Sequence, residues 1–480
     1  MFSVFVLIAY VLAMAAVVVS FSMLSSISSS RKAVAAGAVG IGAALLGCVS
    51  FDYWFARYTA VFLAGGAVGV AWTYMVKMTS LPQLMAAFHS LVGLAAVLIA
   101  IFMLALSSTA VNSVGSEQIL ESITAMSALD IGGGAVIGAV TFAGSIIAFC
   151  KLQGILSRSA IISDQPIWFF VLCFIQGIFL FLFMVFPSVT MLIALSIIAC
   201  ALGVFLVVPI GGADMPVVIS ILNSLSGWAA VSLGFASSGK FGGSFLLIVV
   251  GSIVGASGAM LSYVMCIGMN RSLFSIFSDS MKNTTSRSST KTFTKSGETN
   301  SAINAPKTAA AEEAAFIMKN ADSIVIIPGY GMAAAHAQYA LKEMADLLKK
   351  IGVTVRYGIH PVAGRMPGHM NVLLAEANIP SEDVFEMDDI NNDMPQTDVV
   401  FVIGANDITN PSARTDKSSP IYGMPVFDAD KARCVLFVKR SAGGVGYSGV
   451  DNPLFHSDKT FMIYSDAKKI CESIARELHE

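Results

Sequence analysis

Charge is what this sequence has least of. Only 12% of its 480 residues are Asp, Glu, Lys or Arg, about half the share found in a water-soluble domain. Most of the chain therefore cannot be solvated in the ordinary way. The net charge of −2 supplies no basic field, which argues against nucleic acid as a partner. The seven cysteines form no CxxC pair, and most of them, such as Cys48, Cys150, Cys173, Cys200 and Cys266, sit in apolar runs. A thiol there is a small buried hydrophobe, so neither a metal site nor a disulfide framework is expected. The first 20 residues lack the cationic start of a cleaved signal yet are long enough to span a bilayer, and they read as a first transmembrane helix.

The charge deficit is uneven. Residues 1–270 hold long apolar runs, whereas 310–480 mix acids and bases as a soluble domain does. A span needs about 20 apolar residues, and nine candidates meet that need: 2–24, 33–50, 58–76, 82–106, 131–150, 167–186, 188–209, 215–236 and 241–269. The odd-numbered loops carry Arg31, Lys32, Lys77, Lys151 and Arg158, the even-numbered ones only Arg57 and Lys240. Cytoplasmic loops hold the excess of Lys and Arg, so the N-terminus is expected outside and the C-terminal domain in the cytoplasm. Residues 278–306 are rich in Ser, Thr, Asn and Lys with little to bury, the composition of a flexible tether. Three segments result: a membrane domain over 1–270, a linker over 271–309 and a soluble domain over 310–480. A short helix is expected near 307–320.

From Ser323 the pattern becomes α/β. Apolar strands are expected at 323–328, 353–357, 399–403, 434–438 and 461–464, with helical stretches between them, the first running from the Gly-rich turn to about Lys350. That alternation predicts a Rossmann-like domain with a parallel sheet. Gly329-Tyr330-Gly331-Met332-Ala333-Ala334 stands between a strand and a helix, the context in which a Gly-rich turn cradles a pyrophosphate at a helix N-terminus. Ala334 replaces the third glycine, a tolerated variant. An NAD site usually carries an acid about 20 residues further on; here the second strand ends Arg356-Tyr357-Gly358-Ile359-His360 without one. Bases are present instead at Arg365 and at Lys439-Arg440, and adjacent cations suit a 2′-phosphate. NADP is favoured over NAD. Polar turns at 360–368, 404–407 and 439–449 complete a crevice at the strand ends.

Inside the spans, His89 is the one ionisable residue set well within an apolar run. Such a group is expensive in a bilayer and is functional by default; its ordinary pKa near 6.5 lets it take and release protons. Asn223, in mid-span, is a possible donor to His89 or holder of a water, or simply helix glue. Asp214 opens the same span at a GGADMP break, either at the mouth of a proton path or as an interfacial cap. Gly251, Gly255 and Gly258 allow close helix packing.

The blocks GGADMPVVISILNSLSGWAAV, IIPGYGMAAA, HPVAGRMPGHMNVLLAEANIP, GANDITNP, SPIYGMPV and KRS…GYSGV together resemble the β subunit of the proton-translocating NAD(P) transhydrogenases, over nearly the whole chain. The resemblance implies reversible hydride transfer from NADH to NADP, coupled to proton movement across a bacterial inner membrane. It implies an α subunit that carries the NAD(H) domain, in an α2β2 assembly. It assigns His89, Asn223 and Asp214 to the proton path and 329–334 to the pyrophosphate. Lys439, Arg440 and Ser441 take the 2′-phosphate, Tyr447 covers the cofactor, and Gly446 beside it is a further contact. Val362, Ala363, Gly364 and Arg365, the run Gly404, Ala405, Asn406 and Asp407, then Gly423, Met424 and Asp466 are implied as further NADP(H) contacts. Direct hydride transfer between two nicotinamides needs orientation and dryness rather than a protein acid or base, so no catalytic residue and no metal are expected. The competing reading is a transporter or channel gated by a cytosolic NADP(H) sensor. A membrane haem reductase usually needs paired histidines, and only His89 lies in a span.

Overall fold

The computed structural model describes residues 55–75, 80–114, 125–156, 166–210, 214–237, 244–269, 306–364, 368–417, 421–441 and 450–479, with short runs at 11–13, 15–16, 19–20, 35–40, 42–43 and 272–273 and single positions at 8, 32, 419 and 448. Two compact units divide it, Met1–Ile210 with Val218–Met260, and Gly211–Val217 with Leu261–Glu480.

The helical region contains α1 (Phe55–Met75), α2 (Leu81–Val114), α3 (Ala125–Leu152), α4 (Pro166–Val185), α5 (Val189–Val207), α6 (Met215–Ala236) and α7 (Ser244–Gly268). Among the described residues six helices, α2 to α7, are long and apolar enough to cross a membrane. The third expected span falls on α1, of which Leu63–Trp72 is an apolar stretch. The first two expected spans are described only in part, at 8, 11–13, 15, 16, 19 and 20 and at 35–40, 42 and 43, and each of those positions is helical. Helices α2 and α3 extend beyond the expected apolar cores at 82–106 and 131–150.

Apolar lipid gives helices no hydrophobic reason to associate, so small residues and interhelical hydrogen bonds must do it. Helix α3 is the hub. A Cβ on Gly138 would lie 2.9 Å from Ala96 of α2, one on Gly132 2.9 Å from Leu180 of α4, and one on Gly134 3.0 Å from Leu233 of α6. From α5, a Cβ on Gly203 would lie 2.5 Å from the Val140 carbonyl oxygen. Helices α6 and α7 touch backbone to backbone: a Cβ on Gly227 would meet the Gly255 nitrogen at 2.4 Å, and one on Gly258 the Ser224 nitrogen at 2.8 Å. Ser220 Oγ donates to the Gly258 carbonyl at 3.0 Å and Ser224 Oγ to the Gly255 carbonyl at 2.7 Å. The ninth-span glycines thus have the packing role expected of them.

The C-terminal region is a seven-stranded sheet, β1 (Lys307–Thr308), β2 (Ser323–Pro328), β3 (Thr354–Ile359), β4 (Val384–Glu386), β5 (Val399–Ile403), β6 (Cys434–Lys439) and β7 (Thr460–Tyr464), in the order β1-β7-β6-β5-β2-β3-β4. Every neighbouring pair is parallel. All five residues of β5 are buried, as the continuous apolar run VVFVI requires when helices cover both faces. Its helices include α8 (Ala311–Lys319), α9 (Tyr330–Ala334), α10 (Gln338–Lys350), α11 (His369–Glu376), α12 (Met387–Asp393), α13 (Ser412–Thr415) and α14 (Ala467–His479). Below the sheet, Asp398 Oδ2 accepts from the Asp322 and Ser323 nitrogens and from Ser323 Oγ, while Arg433 donates to Oδ1 at 2.7 Å. This one carboxylate ties together the starts of β2, β5 and β6.

Three expectations need correction. Strands β1 and β4 were not anticipated, because two or three residues at a sheet edge leave no periodicity to read. The helix expected over 307–320 is preceded by β1 and begins only at Ala311. The single helix expected from the Gly-rich turn to Lys350 is broken in two: Ala337 N donates to the Met332 carbonyl, and His336 adopts a left-handed φ of 52°. That is a Schellman ending, usually made by glycine, and a histidine there gives the sequence no obvious stop signal.

Candidate functional site

Strands β2 and β3 with β4 form one half of the sheet and β5, β6 and β7 the other, so the chain reverses direction across the sheet between β2 and β5. Ligands bind at such a switch point, outside the carboxyl ends of the strands. The turns after β2 and β5 meet there. Gly329 N donates to the Ile403 carbonyl at 2.9 Å and Gly331 N to the Gly404 carbonyl at 2.8 Å. Gly404 has φ +69°, and a Cβ on it would lie 2.1 Å from Met332 N; one on Gly329 would lie 2.4 Å from the Gly404 oxygen. The glycines are thus required first by each other: the backbone they admit is that of the adjoining turn. Ala405, Met332, Ala333 and Tyr330 share this junction, with Met332 and Ala333 buried; Ala334 is exposed.

Beyond β5, Asp407 accepts from Ser448 N at 2.9 Å and from Ser448 Oγ at 2.8 Å. Asn452 Nδ2 donates to Asn406 Oδ1 at 3.2 Å. The chain after β6 is thereby fastened onto the β5 turn. At the end of β6, Lys439 Nζ stands 4.1 Å above the Phe455 ring; burial holds its ammonium below the usual lysine range, against the opposing pull of Asp451. Arg440 donates to Asp466 at 3.3 Å and remains largely exposed, next to Ser441. Two bases at one strand end, one strand from the Gly404 turn and two from the Gly329 turn, can receive a phosphate.

On the other side, His360 follows β3. Its Nδ1 accepts from Val362 N at 3.3 Å and its Nε2 donates to the Pro425 carbonyl at 2.8 Å, which links the Val362–Gly364 turn to the segment of Gly423 and Met424. Gly364 and Gly423 have φ of 111° and 80°, conformations that need glycine. Arg365, Gly446 and Tyr447 lie outside the described residues.

In the helical region, His89 of α2 sits one turn before Gly93, whose Cβ position lies 2.5 Å from the Gly138 oxygen of α3. Residues four apart share a helix face, so His89 faces the α2–α3 seam. Among the described residues its buried Nε2 has no hydrogen-bond partner, and neither does the buried Ser145 Oγ of α3. Asn223 lies on α6, its carbonyl accepting from Ser226 Oγ at 2.6 Å; it does not donate to His89 Nε2. Asp214 is 7% exposed, immediately before α6.

Ser145, Ser448 and Asn452 were not singled out from sequence. A serine in a span ordinarily satisfies itself on the carbonyl one turn back, as Ser196 and Ser252 do, and nothing local distinguishes Ser145 from them. Asn452-Pro453 reads as a turn.

Comparison with known proteins bears on the whole chain. A family model described as NAD(P) transhydrogenase beta subunit matches residues 6–477. Two curated relatives, both named NAD(P) transhydrogenase subunit beta and both from Rhodospirillum rubrum, one of them from a designated strain, are each 47% identical over 482 residues, covering 98% of this chain and 98% of their own.

Proposed function

This chain belongs to the NAD(P) transhydrogenase beta-subunit family, and on that premise we propose that its sheet region, 310–480, holds NADP(H) across the ends of β2, β5 and β6. The observation that carries the reading is the strand order, which puts the Gly-rich turn of β2 at the switch point beside Gly404. The pyrophosphate lies over Gly329–Ala334 and Gly404–Asp407, and Lys439, Arg440 and Ser441 take the 2′-phosphate. Because those bases follow β6 rather than β3, the adenosine end lies on the β6 side. The nicotinamide end then points toward Val362–Gly364 and Gly423-Met424, opposite to the usual disposition in which an acid after the second strand holds the ribose. The fit is supported by the meeting of the β2 and β5 turns at the strand ends and by the two bases, Lys439 and the largely exposed Arg440, that follow β6.

The bound nucleotide supplies the hydride chemistry. The chain supplies orientation, exclusion of water and charge, while NAD(H) is held by an α subunit, the partner that the family's name implies, in an α2β2 assembly. The membrane region, 1–270, moves protons along a path that includes His89, Asn223 and Asp214, and the tether over 271–309 lets the sheet region respond. The N-terminus faces outward and the nucleotide domain the cytoplasm. Titration of the detergent-solubilised chain with NADPH and with NADH tests the nucleotide assignment. NADPH is expected to bind at least a hundredfold more tightly, and Lys439→Met to erase most of that preference. Equal affinities would remove the 2′-phosphate assignment.

A further inference from the structure

Two cations stand at the carboxyl end of β6, and the fold prepares them differently. Arg440 donates to the Asp466 carboxylate at 3.3 Å. Lys439 faces a ring instead, its Nζ lying 4.1 Å from the centroid of Phe455. Phe437 and Lys439 are two apart on β6, so both project from one face of the sheet. Phe455 is buried there, its ring edge-on to that of Phe437 with centroids 4.9 Å apart. The seat of the Phe455 ring is fixed from the β5 turn. Phe455 N donates to the Asn452 carbonyl and Leu454 N to Asn452 Oδ1, both at 3.0 Å, while Asn452 Nδ2 donates to Asn406 Oδ1 at 3.2 Å. The main chain of Lys439 is fixed as well, its carbonyl accepting from Ser465 N at 3.0 Å. Lys439 itself is only half-buried, and it keeps accessible surface at a strand end, the side of such a sheet on which ligands bind.

An ammonium on a four-carbon stem has many rotamers to lose when it meets a phosphate. A carboxylate could hold it in place, but would also neutralise it and repel the phosphate. The face of an aromatic ring attracts a cation through its quadrupole and carries no net charge. It therefore restrains the ammonium while leaving its charge, and the N–H donors turned away from the ring, for an incoming anion. We infer that Phe455 is a positioning residue for selection of the 2′-phosphate: its ring presets the Lys439 ammonium for that group. The inference rests on the proposal that Lys439 takes the 2′-phosphate of NADP(H), and Phe455 acts through Lys439 alone. Phe455→Leu keeps an apolar side chain in the seat but removes the negative ring face. It is expected to weaken NADPH binding about fivefold, the scale of one partly desolvated cation–π contact. NADH has no 2′-phosphate, and its affinity is expected to stay within about twofold. In a Lys439→Met background, Phe455→Leu is expected to cost nothing further, because no cation is left for the ring to hold.

The test is a double-mutant cycle between Phe455→Leu and Lys439→Met on the full solubilised chain, with dissociation constants for NADPH and NADH and melting temperatures measured alongside. Site-specific fluorination of the Phe455 ring accompanies it, since added fluorines drain the negative face while nearly keeping the shape. NADPH affinity is expected to fall stepwise with fluorine number and NADH affinity to stay level, and this series decides the matter if Phe455→Leu does not fold. Unchanged NADPH affinity across the variants would overturn the inference. So would equal losses for NADPH and NADH, or a loss from Phe455→Leu that persists in full beside Lys439→Met. Failure of the unsubstituted chain to prefer NADPH would instead overturn the 2′-phosphate assignment beneath it.

Discussion

His360 shows how far one side chain's environment sets its chemistry. It is 1% exposed, both ring nitrogens are engaged with backbone groups, and its ring lies edge-on to Phe427 at 6.0 Å. Burial pushes its pKa down to about 4, against the smaller opposing effect of the Pro425 carbonyl. In the unfolded chain a histidine titrates near 6.5. Between those values the unfolded chain binds a proton that the folded one refuses, so stability rises with pH across the window. The contribution, on the order of 3 kcal/mol, is complete above pH 6.5 and is lost as the pH falls toward 4. His360→Gln, which cannot charge, is expected to flatten the melting temperature of the C-terminal region against pH over that window. Equal slopes in the two proteins would rule this out.

At the scale of elements, the end of α5 has a dedicated cap. The last carbonyls of a helix have no partners within it, and in a membrane region water is not a dependable substitute. Lys151, from the last turn of α3, donates to the Val207 carbonyl at 3.2 Å, to Ile210 at 2.8 Å and to Val208. A cation also suits the negative end of the helix dipole. Nearby, Gln83 Nε2 of α2 donates to the Leu152 carbonyl at 3.4 Å, so the ends of α2, α3 and α5 are tied at one level. Lys151→Met keeps the apolar stem and removes the donors. It is expected to destabilise the helical region by about 2 kcal/mol, with Lys151→Arg recovering part of the loss. Denaturation in graded SDS reads this directly, and an unmoved midpoint for the Met variant would mean that the cap contributes nothing.

For the molecule as a whole, the proposal separates a proton-handling region from a nucleotide-handling one. His89 faces the α2–α3 seam and belongs to the helical unit; the glycine junction belongs to the sheet unit. His89→Ala is therefore expected to abolish proton-coupled turnover in vesicles reconstituted with the α subunit, while NADPH affinity stays within about twofold, less than 0.5 kcal/mol. A parallel collapse of NADPH binding would refute the division of labour. Coupling between the two regions is then a free energy shared between protonation and nucleotide occupancy.

Much of this organisation follows from sequence alone because it depends on solvent and period. An apolar run of about 20 residues must lie in lipid, and VVFVI between charged helical stretches must be a buried strand. The Gly-rich turn, the missing acid after β3 and the paired bases after β6 are likewise visible without a fold. What only the tertiary structure decided are relations between residues distant in the chain. Gly404 is needed because Gly331 and Met332 press against it, and His336 ends a helix because Ala337 reaches back to Met332. Asn406 accepts from the side chain of Asn452, 46 positions away. Propensity and periodicity are properties of neighbours in sequence, whereas steric exclusion and hydrogen-bond direction are properties of neighbours in space.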